Sequence, residues 1–200
     1  MTPLQLDTHA SLVVRPIEPT DRDALAAAFS RLSHDSRMRR FLGPKRYLSE
    51  RELTYLTEID HETHEALIAV DPGGNIVAVA RYAAWPHSSG DTAELAFVVI
   101  DAWQRRGIAS VLTAQVVARA RENGIRKLTA TTFGDNMAAR VLLGRLGFTP
   151  VGTADGLLSY ELDFPAGEEA RSAPARPRRL LRIGANAIEV AIRRSWRPAY

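Results

Sequence analysis

The chain has 200 residues, 46% of them hydrophobic and 24% charged, and contains no cysteine. This is ordinary globular composition, long enough for one domain and a remainder, and it excludes fibrous, collagen-like and fully disordered classes. Without cysteine there is no disulfide scaffold, thiolate metal site or cysteine nucleophile, and a cytoplasmic location fits that composition.

The net charge of +3 is unevenly spread. Residues 165–200 hold eight Arg against three Glu, a balance of +5, which leaves 1–164 slightly acidic at −2. A domain over 1–164 with a basic appendage follows, and no specific nucleic-acid partner is expected of the domain. PAGEEARSAPARP (165–177) reads as a Pro/Ala-rich linker. Residues 178–200 space Leu181, Ile188, Ile192 and Trp196 as a short basic amphipathic helix, suited to a partner or an anionic membrane surface. The opening residues lack a basic segment and a long apolar run, so they do not read as a signal peptide. No apolar run is long enough to span a bilayer.

In chain order, Ser11–Ile17 predicts a strand, and Thr20 with Asp23 predicts a capped start for a helix burying Leu25, Ala28, Phe29 and Leu32. HDSRMRRF (34–41) is open between helix and loop, and Arg37, Arg39 and Arg40 could line an acidic substrate's path, although such a charge run usually reads as a solvated face. Ser49 and Glu52 open a further helix striped by Leu53, Leu56 and Ile59. Ala66–Val70 and Ile76–Trp85 form a hairpin about Asp71-Pro72-Gly73-Gly74-Asn75, with Tyr82 and Trp85 as hairpin packing. After a loop over 86–91, Thr92–Asp101 is near-continuously apolar and predicts a strand buried on both faces. A helix over Gly107–Asn123, a strand at Lys127–Thr132, a helix at Asp135–Leu146 and strands at Phe148–Gly152 and Leu157–Leu162 complete an α+β fold on one largely antiparallel sheet.

Between the apolar strand and the next helix lies Gln104-Arg105-Arg106-Gly107-Ile108-Ala109. Small residues at 107 and 109 admit a ligand to the backbone, and the free N–H groups of a first helical turn favour an anion such as pyrophosphate. By itself the same turn serves equally as an ordinary strand-to-helix connection with solvated arginines. Glu94 is the only charge in AELAFVVI, on one sheet face with Ala96 and Val98. A half-buried carboxylate there has a raised pKa and suits a general base. The residues alone leave a second reading, a Glu paired with an arginine such as Arg81. His61 and His64 lack the spacing of a metal pair and read as a solvated helix end, so no metal is expected.

AELAFVVIDAWQRRGIASVL, followed by Asn136-Met137-Ala138-Ala139 and then Leu146-Gly147-Phe148, resembles the GNAT superfamily of acyl-CoA-dependent N-acetyltransferases over roughly residues 11–164. The stretch from RLSHDSRMRRF to HEALIAV is further similar to the Pat-type protein lysine acetyltransferases. The resemblance implies acetyl-CoA as co-substrate and a V-shaped cleft where the strand at Thr92–Ile100 splays from its neighbour. Backbone groups of Phe97, Val98 and Val99 would bond the pantetheine arm, and Arg105, Arg106, Gly107, Ile108, Ala109 and Ser110 would wrap the pyrophosphate. Asn136 would bond the pantetheine, although an ordinary helix-start Asn looks the same. Glu94 would be the general base for a protein lysine or another amine, with an oxyanion held near Val98. In place of the tyrosine that many such enzymes use as an acid stands Leu143. That departure keeps open a second class, an acyl-CoA-binding regulatory module without catalysis, beside a small-molecule amine acetyltransferase.

Overall fold

The computed structural model describes residues 2–5, 11–85 and 91–164. The linker at 165–177, the basic segment at 178–200 and most of the loop after Trp85, with His87, lie outside the described residues. Eight strands form one sheet, β1 (Thr2–Gln5), β2 (Ser11–Pro16), β3 (His64–Val70), β4 (Ile76–Ala84), β5 (Thr92–Val99), β6 (Lys127–Phe133), β7 (Thr149–Ala154) and β8 (Leu157–Asp163). Their order is β1-β2-β3-β4-β5-β6-β8-β7. Every pairing is antiparallel except β5 with β6. That is the expected α+β architecture.

Helices α1 (Arg22–Ser30), α2 (His34–Phe41) and α3 (Glu50–Thr57) precede β3, α4 (Ile108–Glu122) joins β5 to β6, and α5 (Met137–Arg145) follows β6. They cover both faces. On one face Ile108, Leu112, Val116 and Ala120 of α4 pack with Leu67, Leu95, Leu128 and Phe148. These four recur every fourth residue and are essentially inaccessible, each large one worth about 1.5–3 kcal/mol of burial. On the other face Leu25, Phe29, Leu53 and Leu56 pack against Ile68, Val79 and Ile100. Glu65, fully buried under α4, is satisfied by Arg119 at 3.0 Å, His61 at 2.8 Å and the Ala66 N–H at 2.9 Å. It ties β3 to α4 through a buried charge that sequence periodicity does not reveal.

Two expectations need correction and one open reading is resolved. The first helix is not opened by Thr20 and Asp23. Pro19 starts a 3-10 turn over Pro19–Asp21, and the Glu18 N–H donates to the Asp21 carboxylate at 2.8 Å. Proline favours the first position of a helical turn, which moves the start upstream. The basic stretch 34–41 is a helix, capped by Ser33, whose hydroxyl accepts from the Ser36 N–H at 3.1 Å. His64 is not on a solvated helix end but buried within β3.

Asp21 also forms a two-pronged ion pair with Arg15, at 2.7 and 2.6 Å. These hydrogen bonds, against the opposing effect of burial, hold its carboxyl below the ordinary value of 3.8. Because the folded value is the lower one, the stabilisation is complete above about pH 5 and fades as pH falls through it. Asp21→Asn is expected to lower unfolding free energy by about 2 kcal/mol at pH 7. In urea titrations the gap from the parent protein should close progressively below about pH 4.

Candidate active site

The single parallel pairing is short. β5 and β6 are in register only at Thr92–Lys127, Ala93–Leu128 and Glu94–Thr129, after which β6 continues alongside β8 and β5 alongside β4. Past Glu94 the two strands part. The gap opens into a cleft of about 900 Å³ bounded by β5, α2, the turn before α4 and the start of α5. Phe97, Val98 and Val99 are therefore half-buried rather than enclosed on both faces.

Register decides which backbone groups face the gap. The Ile100 N–H donates to Val77 O and the Trp85 N–H to Thr92 O, so the even-numbered residues of β5 form the hydrogen-bonded pairs with β4. Odd-numbered residues turn their N–H and C=O the other way. The carbonyl of Val99 accepts from Gln104 Nε2 at 3.1 Å on that side. Phe97 and Val99 thus present free-edge backbone groups to the cleft, whereas the Val98 backbone is committed to β4. This corrects the expected position of the oxyanion donor.

At the wide end the chain turns sharply. Arg105 and Gly107 both adopt positive φ, 60° and 76°. For an arginine that conformation costs about 1 kcal/mol or more, a strain found at ligand sites. The first helical bond of α4 runs from the Val111 N–H to Gly107 O, which leaves the N–H groups of Ile108, Ala109 and Ser110 for a ligand. All three residues line the cleft with Arg105 and Gly107. Nothing lies within 4 Å of where a Gly107 side chain would begin. Three outward N–H groups, a helix dipole and open space match a pyrophosphate. Arg106 is not brought into the cleft. Its guanidinium sits 4.9 Å from the Trp103 ring and donates to Ala102 O at 3.1 Å.

Asn136 lines the cleft but spends its side chain on structure, with Oδ1 accepting from the Ala139 N–H and Nδ2 donating to Thr132 Oγ1. Leu143 is buried at the cleft wall. Across the mouth, Arg39 joins Asp35 of its own helix to Asp135, with both Asp135 contacts at 3.2 Å. Asp101, just after β5, receives the Ser33 N–H and hydroxyl and the Ser36 hydroxyl at 2.7–3.0 Å. Partial burial pushes the Asp101 carboxyl up, but these hydrogen bonds outweigh it and hold it below 3.8.

Glu94 stands where the strands part, its side chain in the cleft and exposed rather than half-buried. The burial expected to tune it is not there. What surrounds it instead is positive. Arg81 is directly across from Ala96, diagonal to Glu94 on the same face, and Arg40 attracts Glu94 electrostatically. Arg81 is buried and donates to Leu56 O at 2.8 Å and to His64 Nε2 at 3.1 Å. Burial, reinforced by the like charge of Arg40, pushes it down to about 9, still protonated at neutral pH. Burial and the same two arginines, with His61, hold His64 well below 6.5, hence neutral. Arg40 is thus part of the site and not of a solvated face. The sequence offered Arg81 as a partner for Glu94, and the hairpin register sets it diagonal to Glu94, directly across from Ala96.

Among the described residues no group of three or more His, Asp or Glu side chains is placed to hold a metal, and no helix is long and apolar enough to cross a membrane.

Residues 32–148 match the family model for the acetyltransferase (GNAT) family. Acetyltransferase Pat of Mycolicibacterium smegmatis is 32% identical over 167 residues, covering 82% of this chain and 49% of that protein. The chain therefore spans about half the length of that relative. An acetyltransferase of Pseudomonas aeruginosa is 33% identical over 146 residues, covering 72% of this chain and 77% of the other. Among solved structures, the GNAT domain of S. lividans PAT superposes with a TM-score of 0.75 at 30% identity, covering 82% of this chain and 96% of that one. At 20% identity, yncA from Salmonella typhimurium, solved with its cofactor acetyl-CoA, shares the fold with a TM-score of 0.57 over 76% of this chain and 93% of that one. The chain belongs to the GNAT acetyltransferase family, whose co-substrate is acetyl-CoA.

Gly107→Val should retain the fold by circular dichroism yet weaken acetyl-CoA binding about tenfold or more by calorimetry. A β-branched residue disfavours the positive φ and projects into the anion's space.

Proposed function

We propose that the chain is an acetyl-CoA-dependent N-acetyltransferase that moves the acetyl group directly to a primary amine, with a protein lysine as acceptor and Glu94 as general base. The observation that carries this reading is the position of Glu94 at the fork of β5 and β6, beside the free strand edge at Phe97 and Val99. The lysine acceptor rests on the resemblance of residues 31–70 to Pat-type enzymes. A cytoplasmic setting is in keeping with the cysteine-free composition.

In this reading the pyrophosphate lies against Ile108, Ala109 and Ser110, and the pantetheine arm follows the edge of β5. Glu94, directly or through a water, takes a proton from the substrate ammonium. The freed amine attacks the thioester carbonyl carbon. An N–H on the open edge, from Phe97 or Val99 in place of Val98, holds the oxyanion. The carbonyl then re-forms as the carbon–sulfur bond breaks, and CoA departs as a thiolate. The second proton leaves the new amide nitrogen through water, from which the thiolate takes one up. A thiol of pKa about 8.5 is a good leaving group, so Leu143 in the tyrosine's position does not block turnover. Holding amine and thioester in one cleft supplies much of the acceleration. With no cysteine in the chain, transfer does not pass through an acyl-cysteine.

Catalysis is separated from CoA sensing by Glu94→Gln. Acetyl-CoA should raise the melting temperature of parent and variant alike. CoA release in the presence of amine or lysine-bearing protein acceptors should fall about 10²-fold or more in the variant only. Tight binding without turnover on any acceptor by the parent protein would favour a regulatory module.

A further inference from the structure

The inner end of the cleft sets two guanidiniums, Arg40 and Arg81, beside one carboxylate, Glu94, more positive charge than amine transfer uses. Four acids line it among the described residues, namely Asp35, Glu94, Asp101 and Asp135. Asp35 and Asp135 are engaged by Arg39, and Asp101 by Ser33 and Ser36. Five arginines line it as well: Arg39 lies at the mouth with Asp35 and Asp135, Arg105 in the turn before α4 and Arg145 on α5. So beside Glu94 two guanidiniums, Arg40 and Arg81, face one carboxylate, while His64 is neutral. Beside Glu94, a lone cationic amine adds to the charge of these two guanidiniums. An amine that brings its own anion cancels it.

The two arginines differ in their freedom. Arg81 is fixed from behind, donating to Leu56 O at the end of α3 and to His64. Arg40 comes from α2, stacks over Phe41 with its guanidinium carbon 4.9 Å from the ring centre, and lines the cleft. Helix α2 is in turn pinned at Asp101 and Asp135, so the position of Arg40 is built rather than incidental. Guanidinium groups suit planar, two-point recognition of a carboxylate.

We propose that Arg40, backed by the charge of Arg81, is a specificity-determining residue that binds a carboxylate carried by the acceptor close to the amine that Glu94 deprotonates. The inference rests on the amine-acceptor reading of the site and narrows it. The carboxylate belongs either to a free amino acid or to an acidic side chain next to an acceptor lysine, and both have the same chemistry at Arg40.

The test compares matched pairs: aminoalkanoates of two to six carbons against their carboxamides, and end-blocked heptapeptides with one central Lys flanked by Glu or by Gln. Binding is measured by calorimetry on the CoA-loaded full chain, and acetylation on the same pairs. At least one carboxylate member should bind about tenfold or more tightly than its amide, the range for a charge-assisted hydrogen bond. Preference among the free amines points to an amino acid, and preference among the peptides to a flanking acidic residue. Arg40→Gln should bring the two members of the preferred pair within about twofold, and Arg40→Lys should keep part of the difference. Equal binding within every pair overturns the proposal, as does undiminished preference in an Arg40→Gln protein that still binds CoA. Carboxylate preference without acetylation would instead count against the transferase reading alone. The two failures are therefore distinguishable.

Discussion

The site depends on one limit in the hydrogen bonding of the sheet. β5 and β6 stay paired for three residues and then separate. Antiparallel neighbours hold each strand along its outer edge, so the parting leaves an unfilled strand edge inside the protein, where backbone groups must be satisfied. The structure meets one of those needs with the Gln104 amide on Val99 O. In the proposed function acetyl-CoA meets the others, and the same fork sets Glu94 beside that edge. A longer β5–β6 ladder would close the cleft and remove the free strand edge and the opening at Glu94 together.

Several contacts keep the fork open and aligned. The buried stripe of α4 anchors that helix on the sheet, which fixes where Ile108, Ala109 and Ser110 aim their N–H groups. Asp101 ties the end of β5 to Ser33 and Ser36, so the helix that carries Arg40 is attached to the strand that carries Glu94. Arg39 and Asp135 link the two banks of the cleft at its mouth. That pair is solvent-accessible, so its value lies in geometry more than in stability. Glu94, the N–H groups at the start of α4 and the arginines Arg40 and Arg81 are thereby held on rigid elements, as the proposed catalysis by positioning requires.

Much of this was legible in the sequence. Period-two and period-four patterns place the hairpin, the α4 stripe and the Ser49–Glu52 cap, because each is a local consequence of burial or of an unpaired helix end. The close approach of a ligand at Gly107 and Ala109 was readable from their small size, whereas the positive φ of Arg105 and Gly107 was not. Interactions between distant segments were not legible. The same charged run that contains Arg40 reads as solvent-facing until α2 is docked, and His64 reads as polar surface until β3 is seen to carry it inward. The phase of the free edge, at Phe97 and Val99 and not at Val98, required knowing which β5 residues pair with β4. Burial on both faces, expected from the apolar run of β5, failed because the strand borders the open cleft. Composition alone does not separate the two cases.

The most direct test of the fork as the acetyl-CoA site is amide hydrogen exchange, followed residue by residue by NMR with and without acetyl-CoA. The amides of Phe97 and Val99 and those of Ile108, Ala109 and Ser110 should gain protection on binding, while Val98, already bonded to β4, should change little. Protection that falls on Val98, or that leaves Phe97, Val99 and the α4 start unaffected, would contradict the account.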